Sequence, residues 1–146
     1  MKINFLLPHI RLSGGVKALL EYANRLNRIG HEVRVLVPRK SPKWYQFIEK
    51  QVMRNHELKS LLPETIEWMD NNLPIETFLE SKKCSLPDSD ILVASAWQNA
   101  EFAATLPLKK GALFYFILHY ESLWTGNPKR ALKTYDLSCE MLTCST

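Results

Sequence analysis

The strongest constraint on the fold lies in residues 3–37. An apolar run, Ile3-Asn4-Phe5-Leu6-Leu7, leads into the polar stretch Pro8-His9-Ile10-Arg11-Leu12-Ser13-Gly14-Gly15. A helical pattern over residues 16–29 follows, and then Val33-Arg34-Val35-Leu36-Val37. Short apolar runs bounded by turn residues read as strands. Val16, Leu19, Leu20, Ala23 and Leu26 recur at helical spacing and make one apolar stripe, while Lys17, Glu21, Arg25 and Arg28 fall on the other side. Gly30 stands where a left-handed residue ends a helix, and Pro38 is expected to stop the second strand. Strand, helix and strand at these lengths make a β-α-β unit, which is right-handed with parallel strands. Such strands read as nearly continuous apolar runs because helices cover both of their faces.

The same alternation continues. Residues 65–69 offer a short strand, and residues 73–85 a turn of helix and a connection. Pro87-Asp88-Ser89 introduces a strand over residues 90–95, which a helix over residues 96–106 follows. Lys109-Lys110-Gly111 is a turn, residues 112–118 a buried strand, residues 127–135 a helix with Pro128 in its first turn, and residues 140–144 a last strand. Residues 39–63 are the least regular. They hold Pro42, an expected helix over 43–50 with Trp44, Tyr45, Phe47 and Ile48, and an amphipathic piece over 52–62. The fold class expected is α/β, a doubly wound, mainly parallel, Rossmann-like sheet of about five or six strands in three layers.

Bulk properties exclude several classes. The 146 residues suit one domain, and 46% apolar with 23% charged residues is ordinary globular usage. The net charge of +4 suits an anionic ligand or a membrane surface but is too small to argue for nucleic acid. Cys84, Cys139 and Cys144 have no metal-ligand spacing and read as reduced thiols, so the expected location is cytoplasmic and no structural zinc is expected. No apolar stretch reaches the ~18 residues needed to span a bilayer. Aromatics beside lysines in residues 39–59 offer a peripheral contact with the inner membrane face, although such stretches more often pack on the sheet. Ser145-Thr146 would cap a further helix, so the chain is expected to be the front part of a longer protein.

Ligands of open α/β sheets bind beyond the carboxyl ends of the strands. Four polar segments are expected there: residues 9–15, Pro38-Arg39-Lys40, Ser95-Ala96-Trp97-Gln98 and His119-Tyr120-Glu121. Gly14 and Gly15 either bring backbone donors to a phosphate or sugar, or simply start a helix tightly. Arg11 and Lys17 are diphosphate contacts or surface charges. Trp97 stacks on a sugar or packs a helix. His119 is a ligand contact or a core histidine, and Glu121 positions an acceptor hydroxyl or is a solvated carboxylate. No G-x-G-x-x-G spacing, P-loop or G-x-S-x-G elbow is present, which disfavours a nicotinamide-dependent oxidoreductase.

The Ser13-Gly14-Gly15 loop, the run Gly30-His31-Glu32-Val33 into a strand, the strand end from Ile91 to Trp97 and the strand closing in His119 together resemble the opening of the GT-B glycosyltransferases. The similarity is to the large retaining "group 1" set, with a weaker likeness of residues 120–124 to rhamnosyl-transferring and polysaccharide-building members. That resemblance implies that residues 1–146 are an N-terminal, acceptor-side domain whose C-terminal nucleotide-sugar domain lies outside this chain. It implies a cytoplasmic enzyme that moves a sugar from a nucleotide-sugar donor to a glycan or lipid-linked acceptor without a metal, and a domain inactive by itself. His119 and Glu121 would be catalytic. Gly14, Gly15, Arg11, Lys17, Ser95, Trp97 and Gln98 would hold substrate or donor. Two positions depart from the family's pattern: Lys17 stands where a Glu is common, and Tyr120 where an Asp is common. The alternative is a stand-alone nucleotide- or ligand-binding or interaction domain without catalysis.

Overall fold

The computed structural model describes residues 1–39, 66, 68–70, 72–79 and 86–144. The expected helices over 43–50 and 52–62, Lys40, Thr65, Cys84 and the connection over 80–85 lie outside the described residues.

Strand β1 (Lys2–Leu6) leads to helix α1 (Gly14–Arg28), and β2 (Glu32–Arg39) and β3 (Ile75–Leu79) follow. The chain then returns through β4 (Ile91–Ser95), α2 (Trp97–Ala103), β5 (Ala112–Ile117), α3 (Pro128–Lys133) and β6 (Glu140–Thr143). The strands form one sheet in the order β3-β2-β1-β4-β5-β6, and every pair is parallel. This is the doubly wound, Rossmann-like arrangement expected, with its topological switch point between β1 and β4.

The alternation of β1 supplies both cores. Ile3, Phe5 and Leu7 pack with the α1 residues Val16, Leu19, Leu20 and Ala23 on one face. Leu6 faces the opposite layer with Leu36, Leu92, Ala94 and the α2 residues Ala100 and Ala103. Helices therefore cover both sides of the sheet. The buried Asn4 on that second side donates its amide to Pro87 O at 3.0 Å.

Helix α1 is closed at both ends by local chemistry. Ser13 is its N-cap, and the Ser13 hydroxyl accepts the Val16 N–H at 3.3 Å. At the other end Gly30 takes φ +96°, with Gly30 N–H on Asn27 O and His31 N–H on Leu26 O. That pair of bonds is a Schellman stop.

Three expectations are corrected. Residues 73–85 are not a turn of helix and a connection where described. Ile75–Leu79 is β3, which pairs with Val35 to Arg39 of β2. Ile66, Trp68 and Met69 are not strand, and the Trp68 indole N–H instead donates to Ile10 O at 3.2 Å. Strand β2 also runs through Pro38 rather than stopping there. Val35 N–H points to β3 and Leu36 O receives Leu7 N–H from β1, so alternation turns the nitrogen of Pro38 toward β1, beyond the last β1 pairing. Its missing donor costs no ladder bond.

The edge strand β6 is exposed on both faces, with Met141 and Leu142 about equally accessible on opposite sides. Cys139 and Cys144 are free thiols. Burial, aided by Glu140, pushes the Cys139 thiol above its ordinary pKa.

Candidate functional site

The carboxyl edge of the sheet gathers the loop after β1, the β4–α2 turn and the segment after β5. Helix α1 starts there with Gly14 and Gly15 as its first residues, and neither has a positive φ. The two glycines differ. A Cβ on Gly14 would meet nothing within 4 Å, whereas a Cβ on Gly15 would lie 2.6 Å from Leu118 Cδ1. Gly15 therefore serves a close approach between α1 and the end of β5, and Gly14 leaves space above the helix start. The first N–H groups of a helix have no intrahelical acceptor, and the dipole adds positive character. Arg11, Lys17 and His9 are exposed around this end.

The floor of the switch point is sealed by the protein itself. Ser95 Oγ and Asn99 Nδ2 both donate to the Leu6 carbonyl, at 3.4 and 3.2 Å, and both side chains are buried. The Ser95 hydroxyl is thus committed to joining β4 to β1.

Leaving β4, Ala96 adopts φ 68° and ψ 141°, a left-handed-side conformation that glycine tolerates and other residues adopt at a cost of about 1–3 kcal/mol. The turn is held from outside. The Glu121 carboxylate accepts the Trp97 N–H at 2.6 Å and the Tyr115 hydroxyl at 3.1 Å. The Glu121 N–H donates to the Tyr135 hydroxyl at 3.1 Å. Only 5% of Glu121 is accessible. Burial, together with the neighbouring Glu121 carboxylate, raises the Tyr115 phenol well above its ordinary pKa, because a phenolate would be desolvated beside a like charge. Tyr135 stacks between Tyr115 and Tyr120, with ring centroids 6.2 and 6.0 Å away.

Trp97 is buried, and the Arg130 guanidinium lies 5.5 Å from its ring centroid. Arg130 also makes a two-point ion pair with Glu101, at 2.7 and 2.6 Å, which raises its pKa. Gln98 and His119 are exposed.

The structure therefore divides the residues chosen from sequence. Gly14, Gly15, Arg11, Lys17, Gln98 and His119 are at the carboxyl edge, four of them on α1 or the loop before it. Ser95, Trp97 and Glu121 are there too, but as buried members of an internal network. Sequence reasoning missed Asn99, Tyr115, Tyr135 and Trp68, which hold that edge in shape. Asn99 and Trp68 bond to Leu6 and Ile10, far away in sequence, and no local pattern marks Tyr115 or Tyr135 as a partner of Glu121. Among the described residues no group of three His, Cys, Asp or Glu side chains is placed to hold a metal ion.

No protein-family model matches this chain, and no curated protein matches it. Among solved structures, the chain is similar to D,D-heptose 1,7-bisphosphate phosphatase from Burkholderia thailandensis. The likeness has a TM-score of 0.42 and 14% sequence identity, and it covers 98% of this chain and 91% of that one. The glycosyltransferase expectation is overturned. The structure found similar is that of a phosphatase, not of a sugar transferase. Membership of the GT-B group and the transferase activity are withdrawn. The physical reason is that Gly-Gly at a strand-to-helix junction and a polar residue closing a late strand belong to doubly wound sheets in general. A likeness at this level does not carry the neighbour's activity to this chain.

Proposed function

We propose that the carboxyl edge binds a small anionic ligand, of the phosphate or carboxylate class, over the start of α1. The observation that carries this reading is the free space at Gly14, at the N-terminus of a helix of 15 residues beside the switch point. Arg11 and Lys17 add positive charge around it. The reading is one of binding. The carboxylate of the segment after β5, Glu121, is buried and hydrogen-bonded within the protein, so no acid–base or nucleophilic step is assigned to it.

The test is NMR titration with inorganic phosphate, glucose 1-phosphate and uncharged glucose, read at the Gly14 and Gly15 amides. Both phosphates should shift these amides with a Kd of about 1 mM, roughly −4 kcal/mol, and glucose should not. Gly14→Leu should weaken the response at least tenfold without lowering stability. Shifts absent at about 10 mM phosphate, or unchanged in Gly14→Leu, would remove the reading.

A further inference from the structure

The loops of the carboxyl edge expose apolar side chains that have no role in the core. Leu12, in the loop before α1, is 65% accessible, while Leu123 and Trp124, in the short helical turn Glu121–Trp124, are 71% and 79% accessible. The Gly15–Leu118 approach sets these two segments side by side. Their charges have one sign. Residues 8–17 and 118–129 contain Arg11, Lys17 and Lys129 with His9 and His119, and their one carboxylate is the buried Glu121. The carbonyl of Asp70, the described acid that follows Trp68, accepts the amide of Asn24 in the third turn of α1, away from the helix start. The opposite edge is different. There Lys110 pairs with Asp88 at 2.7 Å, and Asp90 accepts the Lys2 N–H.

We infer that this edge docks on an anionic lipid bilayer, with Leu12, Leu123 and Trp124 entering the headgroup region and Arg11, Lys17 and Lys129 facing the lipid phosphates. Basic residues rimming exposed leucine and tryptophan satisfy both demands of an interfacial contact, apolar transfer and attraction to negative headgroups. The geometry favours a bilayer over a protein partner. These side chains stand out from loops, with most of their surface free, whereas a protein interface needs a complementary, close-packed patch. A bilayer moulds itself to such projections. Among the described residues no helix is long and apolar enough to cross a membrane, so the contact inferred is peripheral. It shares Arg11 and Lys17 with the anion site proposed at Gly14, but rests on the exposed Leu12, Leu123 and Trp124, which that site does not use.

The experiment is co-sedimentation of the 146-residue chain with vesicles of phosphatidylcholine alone and of equal parts phosphatidylcholine and phosphatidylglycerol. Binding should require phosphatidylglycerol and be released by salt. Leu123→Ser with Trp124→Ser should weaken it at least tenfold, and Lys129→Glu should weaken it about fivefold or more. Both variants should leave the melting temperature and the phosphate response at Gly14 unchanged. Absence of binding to the anionic vesicles, or undiminished binding by the Leu123/Trp124 variant, would overturn the inference. So would light scattering that reveals a dimer abolished by the same variant, since the patch would then be a protein interface.

Discussion

The Glu121 carboxylate accepts the Trp97 N–H at 2.6 Å, which ties the segment after β5 to the turn after β4. This contact supports Ala96 in a conformation that its own side chain disfavours.

Replacing Glu121 should destabilise the fold unequally. Glu121→Ala leaves the buried Trp97 N–H without its acceptor and takes the Glu121 partner from the Tyr115 hydroxyl, and should cost about 2–4 kcal/mol. Glu121→Gln keeps one acceptor oxygen and should cost about half as much. Urea unfolding of the three proteins measures both. Equal stabilities would mean that the network contributes nothing.

Ala96→Gly should be neutral or stabilising by up to about 1 kcal/mol, because glycine enters the region near φ 68° without a Cβ penalty. Ala96→Val should destabilise by about 2 kcal/mol or more, since branching at Cβ worsens the same clash. Thermal unfolding decides it, and a loss in Ala96→Gly comparable with that in Ala96→Val would contradict the strain.

The glycines should rank in a definite order. Gly14→Ala should be harmless, because nothing lies near its added Cβ. Gly15→Ala should cost about 1 kcal/mol, since the obstacle is the end of the Leu118 side chain, and Leu118→Ala should remove most of that cost. Gly111→Ala should be the worst, at about 3 kcal/mol or more, because its φ is +118° and its Cβ would meet the backbone of Ile91 and Leu92 at 2.8 Å. Chemical denaturation of the set, including the Gly15/Leu118 double-mutant cycle, tests the order.

Stability should fall at both ends of the pH scale for two identifiable reasons. The hydrogen bond from Lys110 holds the Asp88 carboxyl below its ordinary 3.8. The contribution of Asp88 is therefore present above 3.8 and lost as pH falls through its lower folded value. The Tyr115 phenol is shifted the other way. Its contribution is complete below the ordinary value of 10.0 and is lost as pH rises beyond that, when the unfolded chain ionises first. Melting temperatures against pH should show a shallower acid limb in Asp88→Asn and a shallower alkaline limb in Tyr115→Phe.

The parts of the fold that the sequence made legible are those defined by neighbours along the chain. The stripe from Val16 to Ala23 and the Gly30 stop are local, and the expected helix is the observed one within two residues at its start. Strand β3 was missed because Ile75-Glu76-Thr77-Phe78-Leu79 is short, and its structure comes from pairing with β2 rather than from its own pattern. The Pro38 reading failed for a related reason, since whether a proline stops a strand depends on which neighbour its nitrogen faces. The site was legible only as a place. Strand ends led to the right edge, but nothing in the sequence told Glu121 buried against Tyr115 from Glu121 in solvent. Nor did it tell a glycine serving Leu118 from a glycine serving a ligand.

The pairing of β1 with both β2 and β4 also has a consequence in time. Residues 1–39 carry a capped helix and two strands that pair across a short crossover, so this unit is synthesised well before the strand that completes β1's pairing. The other side of β1 must wait for Ile91 to Ala94, which arrive much later in synthesis. During that interval the central strand of the finished sheet is an edge, with unpaired backbone groups and an apolar face. Closing β4 onto β1, sealed by Ser95 and Asn99 on the Leu6 carbonyl, is therefore the step that removes this edge from the middle of the sheet.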